Sequence, residues 1–321
     1  MAPKAQQILD GLTRRVNGFN LRDTTRGMQE SIERLENSQR GISETVARLE
    51  SQLVEHAARS AATEADVQQR LAHADDIRRF ERDDIAGLRR QLAGVRASAE
   101  YAAVFEEQTP LVSVRIPAYK KTEELIDRAI ASVLRQSYDR FEIIVVNDGP
   151  NERTAKAIAG LGDARIRYVE FAEQNWYPED LHNRWMVAGA PGMNRGADLA
   201  TGSWIAPLDD DDEFSDDHIE KLLAAALENR SELSYGALVQ KHLTHGVENM
   251  IWSDPPAISQ FSFMGAIYMK PLNFLRYDEA SWMVREPGDW NLIRRMSAAG
   301  VRMTAIHDVV GTMYSVSYDA K

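Results

Sequence analysis

The sequence predicts an α/β domain on a parallel sheet, preceded by a long-helical region that forms a coiled coil. Three observations carry this. All six tryptophans and ten of the eleven prolines lie at or beyond Pro110, so composition changes abruptly there. Before that point apolar residues recur at 3-4-3-4 spacing, the seam of a left-handed coiled coil. After it, short apolar runs alternate with amphipathic stretches, the signature of βαβ units. A length of 321 residues suits about two domains, with boundaries expected at 1–105 and 106–321.

In the first region the seam runs through Ile32, Leu35, Gln39, Ile42, Val46, Leu49 and Leu53. A second seam follows Ile85, Leu88, Leu92, Val95, Ala99 and Ala102. The first frame makes residue 88 an a position and the second makes it d, so a stutter or break falls between 54 and 84. The alanine-rich stretch Val54 to Ala65 is the weakest part and the expected place. Self-association into a homo-oligomer is the expectation; a helical hairpin folded at that break is the alternative. Residues 1–27, with Ile8, Leu9, Leu12, Val16 and Phe19, form a shorter amphipathic segment.

From Pro110 onward, Leu111 to Ile116, Phe141 to Val146, Arg165 to Val169 and Ser203 to Leu208 read as strands. Thr122 is placed to cap the first helix, with Glu123 and Glu124 favourable against its dipole. In open parallel sheets ligands bind beyond the carboxyl ends of the strands. Three such ends carry polar residues: Pro117-Ala118-Tyr119, Asn147-Asp148-Gly149-Pro150, and Asp209 to Asp212. Four aspartates at a strand end are unfavourable without a compensating cation or donors. Oxygen ligands of this kind suit Mg²⁺ or Mn²⁺. The plainer alternative is a solvated acidic turn leading into the helix at 216–229.

These motifs resemble, in order, those of family 2 inverting glycosyltransferases with the GT-A fold, over about residues 111–314. The opening strand and loop, Val112 to Tyr119, are similar to the family's nucleotide-contacting start. Ser132 to Tyr138 and Phe141 to Gly149 resemble its next helix and strand, with Asn147 in place of a first aspartate. Met193-Asn194-Arg195-Gly196 resembles the Asn-x-Gly helix, and Asp209 to Asp211 contain the Asp-x-Asp motif. Gly288-Asp289-Trp290 sits where the family has its base.

The resemblance implies a metal-dependent transfer of a sugar from a nucleotide sugar, expected to be a UDP-sugar, to an acceptor hydroxyl. Asp289 is the expected catalytic base, with Glu286 as runner-up and an N-cap as the structural alternative. Asp211, with Asp209, is expected to hold the divalent cation. Pro117, Ala118, Tyr119, Asp148, Arg184, Asn194, Asp209 and Asp210 are expected around the nucleotide: Tyr119 on the base, Asp148 on the uracil N–H. Arg184 reaches the diphosphate or pairs with Glu179 or Asp180. His307 falls too early for the family's late metal-binding histidine and is expected to pack locally. The segment Gln174 to Pro191, rich in aromatics, is expected to form an acceptor or donor lid, or else to pack on its own domain.

Composition narrows the classes. The net charge of −11 argues against a nucleic-acid or anionic-membrane binder. Its acidity lies mainly after residue 109, where 31 acidic residues face 22 basic ones. The absence of cysteine excludes disulfides and thiolate chemistry and, with no secretory signal or apolar 18-residue run, makes a cytoplasmic protein the expectation. A nucleotidyltransferase would bring a glycine-rich basic loop, which Pro117 to Lys121 lacks. A non-catalytic coiled-coil scaffold retaining the sugar-nucleotide fold is the other alternative. The acceptor, whether glycan, protein or small molecule, is not marked by spacing.

Overall fold

The computed structural model describes residues 3–315, which divide into two compact units, Met1–Asp75 and Asp76–Lys321. Helix α1 (Pro3–Arg82) supplies the first unit and enters the second. It runs without a break through Val54 to Ala65, where the sequence placed its weakest point. Alanine is the best helix former, so a weak seam does not interrupt the backbone. Ile32, Leu35, Ile42, Val46, Leu49 and Leu53 are all exposed. Of the segment expected over 1–27, the side chains of Leu9, Leu12, Val16 and Phe19 lie outside the described residues.

The break falls instead at Asp83-Asp84. Asp84 caps α2 (Ile85–Arg96) by accepting the Gly87 N–H at 2.7 Å, and Ser98 caps α3 (Ala99–Val104) through Tyr101 N–H. The second seam therefore does not continue a coiled coil. Leu92, Tyr101 and Val104 are buried in the core of the α/β unit, with Leu88 and Val95 packed against it. For that reason the compact unit starts near residue 76 rather than at the expected 106.

Strands β1 (Val112–Ala118), β2 (Phe141–Asn147), β3 (Ile166–Glu170) and β4 (Trp204–Pro207) are parallel, in the order β3-β2-β1-β4. Val112, Val114, Ile116 and Ile143 to Val146 are buried, as expected where helices cover both faces of a sheet. The sheet continues beyond β4 through β8 (Ala266–Met269), β6 (Leu233–His242), β9 (Met303–Ser315) and the short β5 (Glu213–Phe214). β7 (Val247–Ile251) pairs with β6. The β4–β8 and β8–β6 pairs are antiparallel, whereas β6–β9 is parallel, so the sheet is mixed.

The first crossover helix, α4 (Thr122–Glu124), widens into a π-helical stretch, Leu125–Ile130, and closes as α5 (Ala131–Leu134). Thr122 is its first residue rather than its cap, and its hydroxyl pairs with that of Thr154 at 2.7 Å. Then come α6 (Glu152–Leu161), α7 (Leu181–Val187), α8 (Ala190–Leu199), α9 (His218–Glu228) and α10 (Gly288–Ala299). α8 packs on β1 and β2, α9 on β6 and β9, and α10 on α2. No helix among the described residues is long and apolar enough to cross a membrane.

Candidate active site

Parallel pairing aligns the carboxyl ends of β1, β2 and β4, and the polar residues after them meet. Asp148 N–H donates to Ala118 O at 2.8 Å, and Leu208 N–H donates to Arg115 O at 3.0 Å. Tyr119 N–H reaches Asp210 Oδ2 at 3.0 Å. Pro117 lines a close approach to α8: a side chain at Gly192 would come within 3.1 Å of its Cβ. Tyr119 is about a third exposed at the rim.

The four aspartates are not an open solvated turn. Asp212 is buried and accepts Tyr314 N–H at 2.7 Å; burial and the neighbouring Asp209 push its carboxyl well above the usual range. Burial also pushes Asp210 up to about 7, against the pull of Tyr119 N–H and Lys121. Asp209 is likewise pushed up to about 7, by burial first and then by the charges of Asp289, Asp211 and Asp210. Asp211 is more open, and its Oδ2 carries the Lys121 ammonium at 2.5 Å. Arg128, lying over the Tyr314 ring at 3.8 Å, holds the Asp211 backbone oxygen.

Asp289 lies in the first turn of α10 without capping it; the N-cap residue is Pro287. Its Oδ2 accepts the Ser262 hydroxyl at 2.7 Å and Phe263 N–H at 3.0 Å, and its Oδ1 accepts the Tyr277 hydroxyl at 2.8 Å. Three donors from two other segments fix the direction of this carboxylate. Glu286 has a different fate. It is buried, gripped by Arg294 through two bonds at 2.9 Å, by Asn291 at 2.7 Å and by Arg79 at 2.9 Å. A carboxylate so occupied anchors α10, and the runner-up base is set aside.

Other expected residues are placed less directly. Asp148 Oδ1 already accepts both Asn175 N–H, at 3.0 Å, and Asn175 Nδ2, at 2.7 Å. The segment around Gln174 thus closes over the end of β2, and Gly149, at φ +91°, lets it approach. Arg184 holds Pro178 O at 3.0 Å and Glu179 O at 3.5 Å, backbone oxygens of its own segment rather than either expected carboxylate. Asn194, expected at the nucleotide, instead clips the Tyr277 backbone: its Nδ2 donates to Tyr277 O and its Oδ1 accepts Tyr277 N–H, both at 3.0 Å. His307 stacks on Trp252 with ring centres 3.9 Å apart, the local packing expected of it. Trp176 and Trp185 are exposed, and Trp185 stacks on His182.

The sequence reading missed Lys121, Arg128, Tyr277, Ser262 and Arg115. Arg115 alone left a signal: a charged residue inside a strand whose neighbours are buried on both faces. Among the described residues no group of three or more His, Cys, Asp or Glu side chains is disposed to hold a metal ion. The carboxylates present nevertheless suit a hard cation that takes most of its oxygens from phosphate and water.

Residues 113–252 match the family model "Glycosyl transferase family 2". The chain is 32% identical over 120 residues to the "Putative colanic acid biosynthesis glycosyl transferase WcaA" of Escherichia coli, covering 37% of this chain and 38% of that protein. It is 29% identical over 126 residues to the "UDP-Glc:alpha-D-GlcNAc-diphosphoundecaprenol beta-1,3-glucosyltransferase WfgD" of Escherichia coli, covering 39% of this chain and 45% of that one. The matches thus span less than half the length of these relatives. The crystal structure of S. aureus TarS 1-349 superposes with a TM-score of 0.48 at 16% identity, covering 63% of this chain and 60% of that one. The match spans the four parallel strands β1 to β4 of a GT-A-like mixed sheet.

Proposed function

We propose that the chain is a metal-dependent, inverting glycosyltransferase that moves a sugar from a UDP-sugar to an acceptor hydroxyl. The observation that carries this is Asp289, a carboxylate oriented by three donors: the Ser262 hydroxyl, the Phe263 N–H and the Tyr277 hydroxyl. Inversion needs a base to take the acceptor's proton as the donor's bond breaks, and a carboxylate with fixed direction suits that task. A uridine donor is supported by the name of the Escherichia coli glucosyltransferase relative. Tyr119 offers a ring at the rim for the base. Asp148 offers its carboxylate, for which a uracil N–H competes with Asn175.

Asp211 and Asp209 would hold the divalent cation, which when bound neutralises charge on the departing diphosphate. Lys121, already on Asp211, supplies a second positive charge at the same strand end. Calorimetry of UDP binding with and without Mn²⁺ tests this reading, together with UDP release from UDP-sugars. Asp211→Asn is expected to abolish the Mn²⁺ dependence of UDP binding. Asp289→Asn is expected to cut turnover by 10²-fold or more at unchanged UDP affinity, a loss confined to the transition state. Equal UDP affinity with and without a chelator would sink the metal-bridged diphosphate.

The helical region is part of the same proposal. The exposed seam on α1 has coiled-coil spacing for about three heptads. The ion pairs along that helix, Arg59 with Glu55 and Arg70 with Asp66 among them, are exposed and contribute only tenths of a kcal/mol each. A second copy of the same seam is the occupant that its regular 3-4 spacing fits, which makes the enzyme a homo-oligomer.

A further inference from the structure

A charged side chain sits in the middle of β1 with no carboxylate paired to it. Arg115 is 1% exposed, and among the described residues its guanidinium lies against Tyr268 and Tyr277 rather than in an ion pair. Burying a guanidinium without an ion-pair partner is costly, so its surroundings need an explanation. α8 presses directly on it: a side chain at Gly196 would come within 3.0 Å of the Arg115 Cβ. The small cavity beside it, about 10 Å³, has room for one water at most.

What surrounds the guanidinium is aromatic on one side and acidic on another. Its Cζ lies 5.2 Å from the centre of the Tyr277 ring, and Tyr268 shares the cavity. A cation over an aromatic face is attracted to it, more so when both are dry. The Tyr277 hydroxyl donates to Asp289 Oδ1 at 2.8 Å. On the main chain, Arg115 O takes Leu208 N–H, and the next residue is Asp209. The buried cation therefore reaches the Asp289 carboxylate through the Tyr277 ring and hydroxyl.

We propose that Arg115 is a positioning residue for the reaction, fixing Tyr277 and through it the Asp289 carboxylate. This rests on Asp289 being the base. It goes beyond that reading by assigning a role to two buried residues that it does not use, Arg115 and Tyr277. Asn194 belongs to the same arrangement, because its amide clamps the Tyr277 backbone from α8.

The role makes stability and turnover move in opposite directions. Met follows the aliphatic stem of Arg115 and removes the guanidinium, and replacing buried charge by an apolar side chain is often neutral or stabilising. In the full chain with Mn²⁺ and UDP-glucose as probe, Arg115→Met is expected to keep or raise Tm. UDP affinity should stay within twofold while the rate of UDP release falls at least tenfold. Arg115→Lys, which restores a cation, should recover part of that rate. Tyr277→Phe keeps the ring and loses the hydroxyl; it should lower the rate similarly, and the double variant should be no slower than the slower single one. An Arg115→Met protein with unchanged turnover overturns the proposal, as does one whose rate falls only in proportion to its unfolded fraction. Strictly additive losses would overturn the link through Tyr277. Full turnover in Asp289→Asn would take down the assignment of the base itself, and the relay with it.

Discussion

Two stretches of the same helical region carry the same apolar spacing and meet opposite fates. Ile32 to Leu53 stays exposed, whereas Leu88, Leu92 and Val95 are drawn into the α/β unit. The spacing marks a stripe that must be covered; what covers it depends on the residues beside the stripe. On α2, Arg96 reaches Glu232 through bonds of 2.6 and 2.8 Å, and Arg89 reaches Ala298 O at 3.0 Å. Glu232 is fully buried at the foot of β6 and also accepts Tyr101 OH at 2.8 Å and Arg302 N–H at 2.7 Å. On α1 between Thr24 and Ala72 every described side chain is exposed, and its ion pairs are with its own helix. A stripe whose flanking charges have distant partners belongs to a domain. A stripe whose flanking charges pair locally, as on α1, stays exposed in the single chain.

The largest effect should come from cutting between the two stretches. Residues 76–321 should form a folded monomer that binds UDP with the affinity of the full chain, while the full chain is oligomeric. Residues 106–321 should not fold stably, having lost Leu92, Tyr101, Val104 and the partner of Glu232. Light scattering and calorimetry on the three proteins check this. A monomeric full chain would break the comparison from the α1 side, and a stable 106–321 from the α2 side.

Substitutions sharpen it. Breaking a buried, hydrogen-bonded charge pair costs about 3–5 kcal/mol, and truncating a core leucine about 2–5 kcal/mol. Arg96→Ala and Leu92→Ala should therefore each lower the Tm of the α/β unit substantially, whereas Leu49→Ala should leave it unchanged and weaken association only. The same clamp has a pH signature. Burial alone would raise the Glu232 carboxyl, but Arg96, the Arg302 N–H and the Tyr101 hydroxyl outweigh it and hold it below its ordinary value of 4.5. A depressed carboxyl stabilises the fold above the unfolded value and loses that contribution as pH falls through the folded one. Below pH 4.5 the wild-type Tm should fall more steeply than that of Glu232→Gln, in which this group cannot titrate.

Much of the architecture was legible because it is local. The four parallel strands, their helices and the polar strand ends all follow from short apolar runs and turn residues. The break at Asp83-Asp84 lay inside the expected window but not at the alanine-rich stretch, since a poor seam weakens packing between helices and leaves the helix itself intact. Of the candidate site, the acidic strand end Asp209 to Asp212 and the position of Asp289 were legible; the partners that hold each carboxylate were not. The sequence ranks Asp289 above Glu286 without showing what reaches either. In the fold two arginines, one of them 207 positions earlier, occupy Glu286, and neutral donors orient Asp289. Asn194 looks like a ligand-binding amide until the Tyr277 backbone fills it.

The smallest expected effect tests whether the α1 stripe is a specific seam or only an apolar one. Gln39 falls at an a position, between Leu35 and Ile42, and is the one polar residue among those from Ile32 to Leu49. A buried polar side chain at such a position costs stability and selects register, because any shifted pairing leaves it facing apolar partners. Gln39→Leu should therefore tighten association by about 1–2 kcal/mol, the order expected for burying a leucine-sized side chain. It should also broaden the distribution of oligomeric states seen by sedimentation velocity. Tm of the α/β unit and UDP affinity should not change, because Gln39 belongs to the other compact unit. If Gln39→Leu leaves association as it was, the stripe is not a seam in this register, and the contrast between α1 and α2 must rest on some other covering of Ile32 to Leu53.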